Sequence, residues 1–74
     1  MNYKFKLNKK KTGNNIYFLI EKSKLTRDYV AEYLQLKSSR AIYSWENGEK
    51  MPSIEHLFNL AKLFNVQIED ILAI

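Results

Sequence analysis

The chain contains no cysteine, one proline and one histidine in its 74 residues. Without cysteine it forms neither a disulfide nor a thiolate metal site, and His56 has no second histidine to share an ion with. No apolar run approaches the length that spans a membrane. The lysines of the opening segment MNYKFKLNKKK are followed by no apolar stretch of the secretory kind, so the expected location is the cytoplasm. Nothing in the sequence assembles a nucleophile, a base and an orienting group, so no enzyme activity and no cofactor are expected. What remains is 46% hydrophobic and 27% charged, the balance of a folded domain. A chain this short buries a modest core and must be held by efficient packing, with or without a second subunit.

Acid is also missing from residues 1–11, which hold five lysines. The formal net charge of +4 is therefore uneven, because residues 51–74 carry one base against three acids. A basic front and an acidic, apolar rear suggest a polyanionic partner on one side only.

The hydrophobic periods divide the chain. Tyr3, Phe5 and Leu7 alternate with Lys4 and Lys6, which is a strand period in a basic arm over residues 1–11. From residue 12 to 74 the period is helical. Thr12 is expected to cap a first helix over residues 13–22, with Ile16, Leu19 and Ile20 inward. Thr26 caps a second over residues 27–34, where Asp28 suits the first turn and Val30, Ala31 and Leu34 face in. Ser38 or Ser39 caps a third, RAIYSWEN, which stops before Gly48 and turns Ala41, Ile42 and Trp45 to the core. Ser53 caps a fourth with Ile54, Leu57, Leu60, Ala61 and Phe64 inward. A short fifth helix is predicted over residues 68–73, with Ile71 and Leu72 inward. Pro52 lies just outside a helix, where it does least harm. The predicted fold is all-alpha, with five helices and a short N-terminal arm.

Two short helices joined by a tight connection present the second one outward, as in a helix-turn-helix. From Thr12 to Leu72 the chain resembles the Cro and phage-repressor (Xre-like) family of lambda-repressor-like domains. The resemblance runs through TGNNI, LTRDYVAEYL, IYSWENGEKMPSIEHLFNLAKLFNV and IEDIL. It implies sequence-specific binding of double-stranded DNA by a transcriptional regulator, in the sense of a repressor that blocks by occupancy. The alternative is an antitoxin-like or interaction module whose main partner is another protein. There are departures. Arg27 stands where the family usually has glutamine, Gln35 where it has glycine, and the connection before Arg40 is one residue longer. Ile20 stands where an arginine usually pairs with the glutamate of WENG, so Glu46 must meet solvent or some other donor.

By the resemblance, Ser39, Arg40 and Ser44 are base-reading positions, with Tyr43 beside them able to meet a phosphate or a thymine methyl. Arginine suits the O6 and N7 acceptors of guanine, so discrimination is expected to lean on Arg40. Arg27 is a cation in the first turn of a helix, an unfavourable place that a phosphate there would relieve. Lys37, Asn47 and Lys50 flank the third helix and are further phosphate candidates. One recognition helix reads only a few base pairs, so a homodimer is expected. Its interface is placed at Ile68, Ile71, Leu72 and Ile74, which offer more apolar surface than one short helix uses. The resemblance supports the same surface. The arm is the other candidate for pairing between subunits.

Overall fold

The computed structural model describes residues 6–74. Four α-helices follow one another: α1 (Lys9–Ser23), α2 (Arg27–Tyr33), α3 (Arg40–Glu46) and α4 (Ile54–Phe64). A single 3₁₀ turn, Ile68–Asp70, closes the described chain. The predicted fifth helix is thus corrected to one turn, and the described residues form four α-helices. Its cause lies in where the backbone groups after Asp70 go. The Ile71 carbonyl accepts from Asn15 Nδ2 at 2.9 Å, and Ala73 N donates to Thr12 Oγ1 at 3.0 Å. The Ala73 carbonyl accepts from Asn8 N at 2.7 Å. Ala73 N, which a helix running through residue 73 would turn back on the Glu69 carbonyl, is given to Thr12 of α1 instead, so the ladder does not continue.

The same contacts move the start of α1. Asn8, not Thr12, is the N-cap, and its side chain accepts from Lys11 N at 2.9 Å. Thr12 is instead a buried side chain inside α1 that anchors the C-terminal strap. Three of the arm's lysines, Lys9, Lys10 and Lys11, are therefore helical. Tyr3 and Phe5 lie outside the described residues, and Lys6 and Leu7 have no regular structure.

The caps at Thr26 and Ser53 form as the sequence predicts, accepting from Tyr29 N at 3.0 Å and from His56 N at 3.1 Å. Each later helix ends in a paired closure through a left-handed residue: Gln35 after α2, Gly48 after α3 and Asn65 at the end of α4. After α3, Gly48 N bonds the Trp45 carbonyl and Glu49 N the Ser44 carbonyl, both at 3.0 Å.

The core is continuous. Ile16, Ile20, Val30, Ala31, Leu34, Ile42, Trp45, Leu57, Leu60, Ala61 and Ile71 are buried together. Leu19, predicted to be inside, packs at the margin, and Ile20 takes the central place. Ile54 is 82% exposed, although the helical period puts it inward. It is the first residue of α4, where the chain has only begun to lie on the core. Gly13 carries the main helix crossing. A Cβ there would stand 2.1 Å from the Trp45 carbonyl oxygen and 2.8 Å from that of Glu46. Only glycine lets the backbone of α1 reach the end of α3 so closely.

Candidate nucleic-acid interface

Helix α3 turns Ile42 and Trp45 into the core, and that fixes its outer face. Arg40, Tyr43, Ser44, Asn47 and Lys50 then line one concave surface of about 540 Å³. Arg40, Tyr43, Asn47 and Lys50 are exposed, and Ser44 is partly so. Lys37 and Ser39 line an adjoining hollow in the α2–α3 turn, together with Asp28 and Glu32. Ser39 is the N-cap of α3 but makes no side-chain cap bond, which leaves its hydroxyl unused there. Arg40 N is met instead by Ser38 Oγ at 3.3 Å. Ser44 Oγ donates to Glu49 Oε1 at 3.3 Å.

Arg27 sits behind this surface. Its Nε donates to Glu46 Oε2 at 2.9 Å and its Nη1 to Glu21 Oε2 at 3.0 Å. Glu46 therefore meets a donor, the second of the two outcomes expected for it. Arginine is present in the site, but it comes from the first turn of α2 instead of from α1. The two bridges differ in exposure. The Glu46 side chain is 7% exposed, the Arg27 side chain 16% and the Glu21 side chain 50%. Two rings lie beside the guanidinium, with centroids 5.4 Å (Tyr17) and 5.5 Å (Tyr43) from its carbon, within cation–π range. Burial acts to lower the pKa of Arg27, but hydrogen bonds and attraction from Glu46 and Glu21 outweigh it and hold it above the ordinary arginine value. A raised cation pKa keeps its contribution whole below the unfolded value and loses it only as pH climbs through the higher folded one. On the arginine side, the pair persists throughout the pH range in which proteins fold.

Tyr17 and Glu21 were not among the residues the sequence singled out. Their spacing of four places them on one face of α1, a signal that only gains meaning once Arg27 is known to lie against that face. His56 packs its ring 5.5 Å from Trp45, which gives the lone histidine a neighbour in the fold. Among the described residues no cluster of histidine, aspartate and glutamate could hold a metal ion. No helix among them is long and apolar enough to cross a membrane. Of the four interface candidates, Ile71 is 0% exposed, Ile68 and Leu72 are partly buried against the core, and Ile74 is open to solvent.

Known proteins share this arrangement. A helix-turn-helix family model matches residues 16–71. The chain is 34% identical over 73 residues to the HTH-type transcriptional activator BcrR of Enterococcus faecalis. That match takes in 99% of this chain and 31% of the relative, so the chain spans about a third of that protein's length. Among solved structures, the restriction-modification controller protein C.AhdI from Aeromonas hydrophila superposes with a TM-score of 0.76 at 17% identity, covering 86% of this chain and 91% of that one. The DNA-binding domain of BldD superposes with a TM-score of 0.73 at 21% identity, covering 89% and 94%. An outward α3 carried on a Trp45-centred core, and a family model that covers most of the chain, lead to one assignment: the chain belongs to the helix-turn-helix family of DNA-binding regulators, of the Cro and phage-repressor type that its motifs resemble.

Proposed function

We propose that the chain recognises a specific sequence in double-stranded DNA through α3 and regulates transcription by occupying that site. The work of this family is regulatory and not catalytic. The observation that carries the reading is the single concave face shared by Arg40, Tyr43, Ser44, Asn47 and Lys50. In this reading Ser39, Arg40, Tyr43 and Ser44 meet base edges in the major groove. Arg27, Lys37, Asn47 and Lys50 hold the phosphates on either side. A bound copy acts by blocking or recruiting polymerase. The family resemblance implies blocking, while the relative in Enterococcus faecalis carries the name of an activator. Where the bound site lies relative to the promoter decides between them. The reading places the protein in the cytoplasm, with the DNA.

The protein acts as a homodimer in this reading. The two recognition helices lie about 34 Å apart, one turn of DNA. Because Ile71 is consumed by the core, the interface rests on Ile68, Leu72 and Ile74. It extends to Phe58, which lines one hollow with Ile68 and is exposed.

The test is selection of bound duplexes from a random library at fixed salt, followed by sedimentation on the selected duplex. Enrichment of a two-fold symmetric sequence, bound by two copies, is the expected result. No enrichment overturns sequence-specific binding. A one-to-one complex on an asymmetric site overturns the dimer alone.

A further inference from the structure

The Glu21–Arg27–Glu46 cluster holds one cation between two carboxylates, directly behind Tyr43 of the recognition helix. That is a net negative charge at the edge of a surface proposed to meet a polyanion. The two carboxylates are not equivalent. Glu46 is almost enclosed and bonds Arg27 Nε at 2.9 Å, and without the guanidinium it would be a buried charge with no partner. Glu21 is half exposed and bonds Nη1 at 3.0 Å from the solvent side. A carboxylate and a phosphodiester offer a guanidinium the same thing: negative oxygens at hydrogen-bond distance.

From this asymmetry, and resting on the DNA-binding reading above, we infer that Glu21 occupies in the free protein the position a DNA phosphate takes in the complex, and so limits affinity for DNA. On binding, the phosphate replaces Glu21 on Arg27 Nη1, while Glu46 keeps Nε and the rings of Tyr17 and Tyr43 stay beside the guanidinium. Arg27 is thus a positioning residue for α3 and a phosphate ligand in turn. Glu21 weakens binding in two ways. Its bond to Arg27 must be broken, and its freed charge stays within a Debye length of the backbone, about 10 Å at 0.1 M salt. Tyr17 becomes one wall of the phosphate site, since its ring centroid lies 5.4 Å from the guanidinium carbon.

The test is binding of a mixed-sequence duplex by the whole chain at low salt. Glu21→Gln is expected to bind about 1.4- to fivefold more tightly than the unaltered protein, the range that follows from an exposed pair. Glu69→Gln removes the same charge from the 3₁₀ turn and is expected to change binding little. In a background of Arg27→Gln with Glu46→Gln, which leaves no ion buried, Glu21→Gln is expected to give a smaller gain, because only the repulsion by its charge remains. Should that background not fold, the carboxyl carbon resonance of Glu21 serves instead, moving on addition of duplex to the position of a solvated glutamate. Equal gains from E21Q and E69Q, a gain undiminished by loss of Arg27, or a Glu21 resonance that does not move each overturn the inference. If the unaltered protein binds duplex and E21Q binds no better, this inference falls and DNA binding stands. If neither binds any duplex, the DNA-binding reading fails and takes this one with it.

Discussion

Arg40 and Lys50 line the same hollow, yet their chemistry separates their work. A planar guanidinium can bond two guanine acceptors at once, while an ammonium acts on a phosphate as a point charge. Arg40→Ala is expected to weaken the selected site by about 1–3 kcal/mol and mixed-sequence DNA much less. Lys50→Ala is expected to weaken both alike. Titration of each variant on both duplexes reads the difference, and equal losses for R40A assign Arg40 to the backbone. Gly13 is as specific a position for the opposite reason, since it acts by what it lacks. A methyl group 2.1 Å from the Trp45 carbonyl oxygen cannot be absorbed by a rotamer change, because the neighbour is backbone. Gly13→Ala is expected to cost about 1–3 kcal/mol, the usual range for overpacking, and to shift α3 relative to α1. Thermal unfolding beside DNA titration checks it, and an unchanged melting temperature would show that the helices can part without loss.

At the scale of elements, the turn between α2 and α3 sets the presentation of the recognition helix. Its closure uses Leu36 N to the Ala31 carbonyl at 2.8 Å and Gln35 N to the Glu32 carbonyl at 3.0 Å. The geometry requires a left-handed residue, and Gln35 supplies it at a φ of 60°. A side chain in that region costs about 1–2 kcal/mol that glycine avoids. Gln35 is exposed, so its loss removes no core contact. Gln35→Gly is therefore expected to stabilise the domain by about 1 kcal/mol, after the unfolded-state entropy of glycine takes back part of the gain. Denaturant unfolding measures it, and destabilisation would mean that the glutamine side chain holds the turn through contacts of its own. The departure from the family's glycine is thus legible in the sequence as an oddity, while its geometric meaning comes from the backbone angle.

For the whole molecule, the C-terminal strap joins the ends of the domain. Ile71 fills the core, while the backbone around it bonds Asn8, Thr12 and Asn15 of α1 and its cap. The strap secures α1, and α1 through Gly13 secures α3. Ile71→Ala is expected to cost about 2–5 kcal/mol and to weaken DNA binding through lost order in α1, with no DNA contact removed. Hydrogen exchange at Ala73 N and Asn8 N should quicken first. If exchange at those amides stays slow while stability falls, the strap is held by its hydrogen bonds and not by the Ile71 side chain.

The sequence by itself determined most of the helical frame. The caps at Thr26 and Ser53, the stop at Gly48 and the inward faces of α2, α3 and α4 depend on residues close in the chain, and local periodicity reports local structure. It also marked the outward face of α3, because Ile42 and Trp45 leave Arg40, Tyr43 and Ser44 no other direction. Tertiary structure alone decided three matters. Thr12 became an anchor instead of a cap because its partner, Ala73, lies 61 residues away. The fifth helix became a single turn because the Ala73 amide is given to Thr12 of α1 and not to a helical carbonyl. Glu46 found Arg27, 19 residues earlier, in place of the arginine the family places at Ile20. In each case a polar group was satisfied by a partner distant in the chain, and neither period nor propensity carries information about such pairs until the helices are packed.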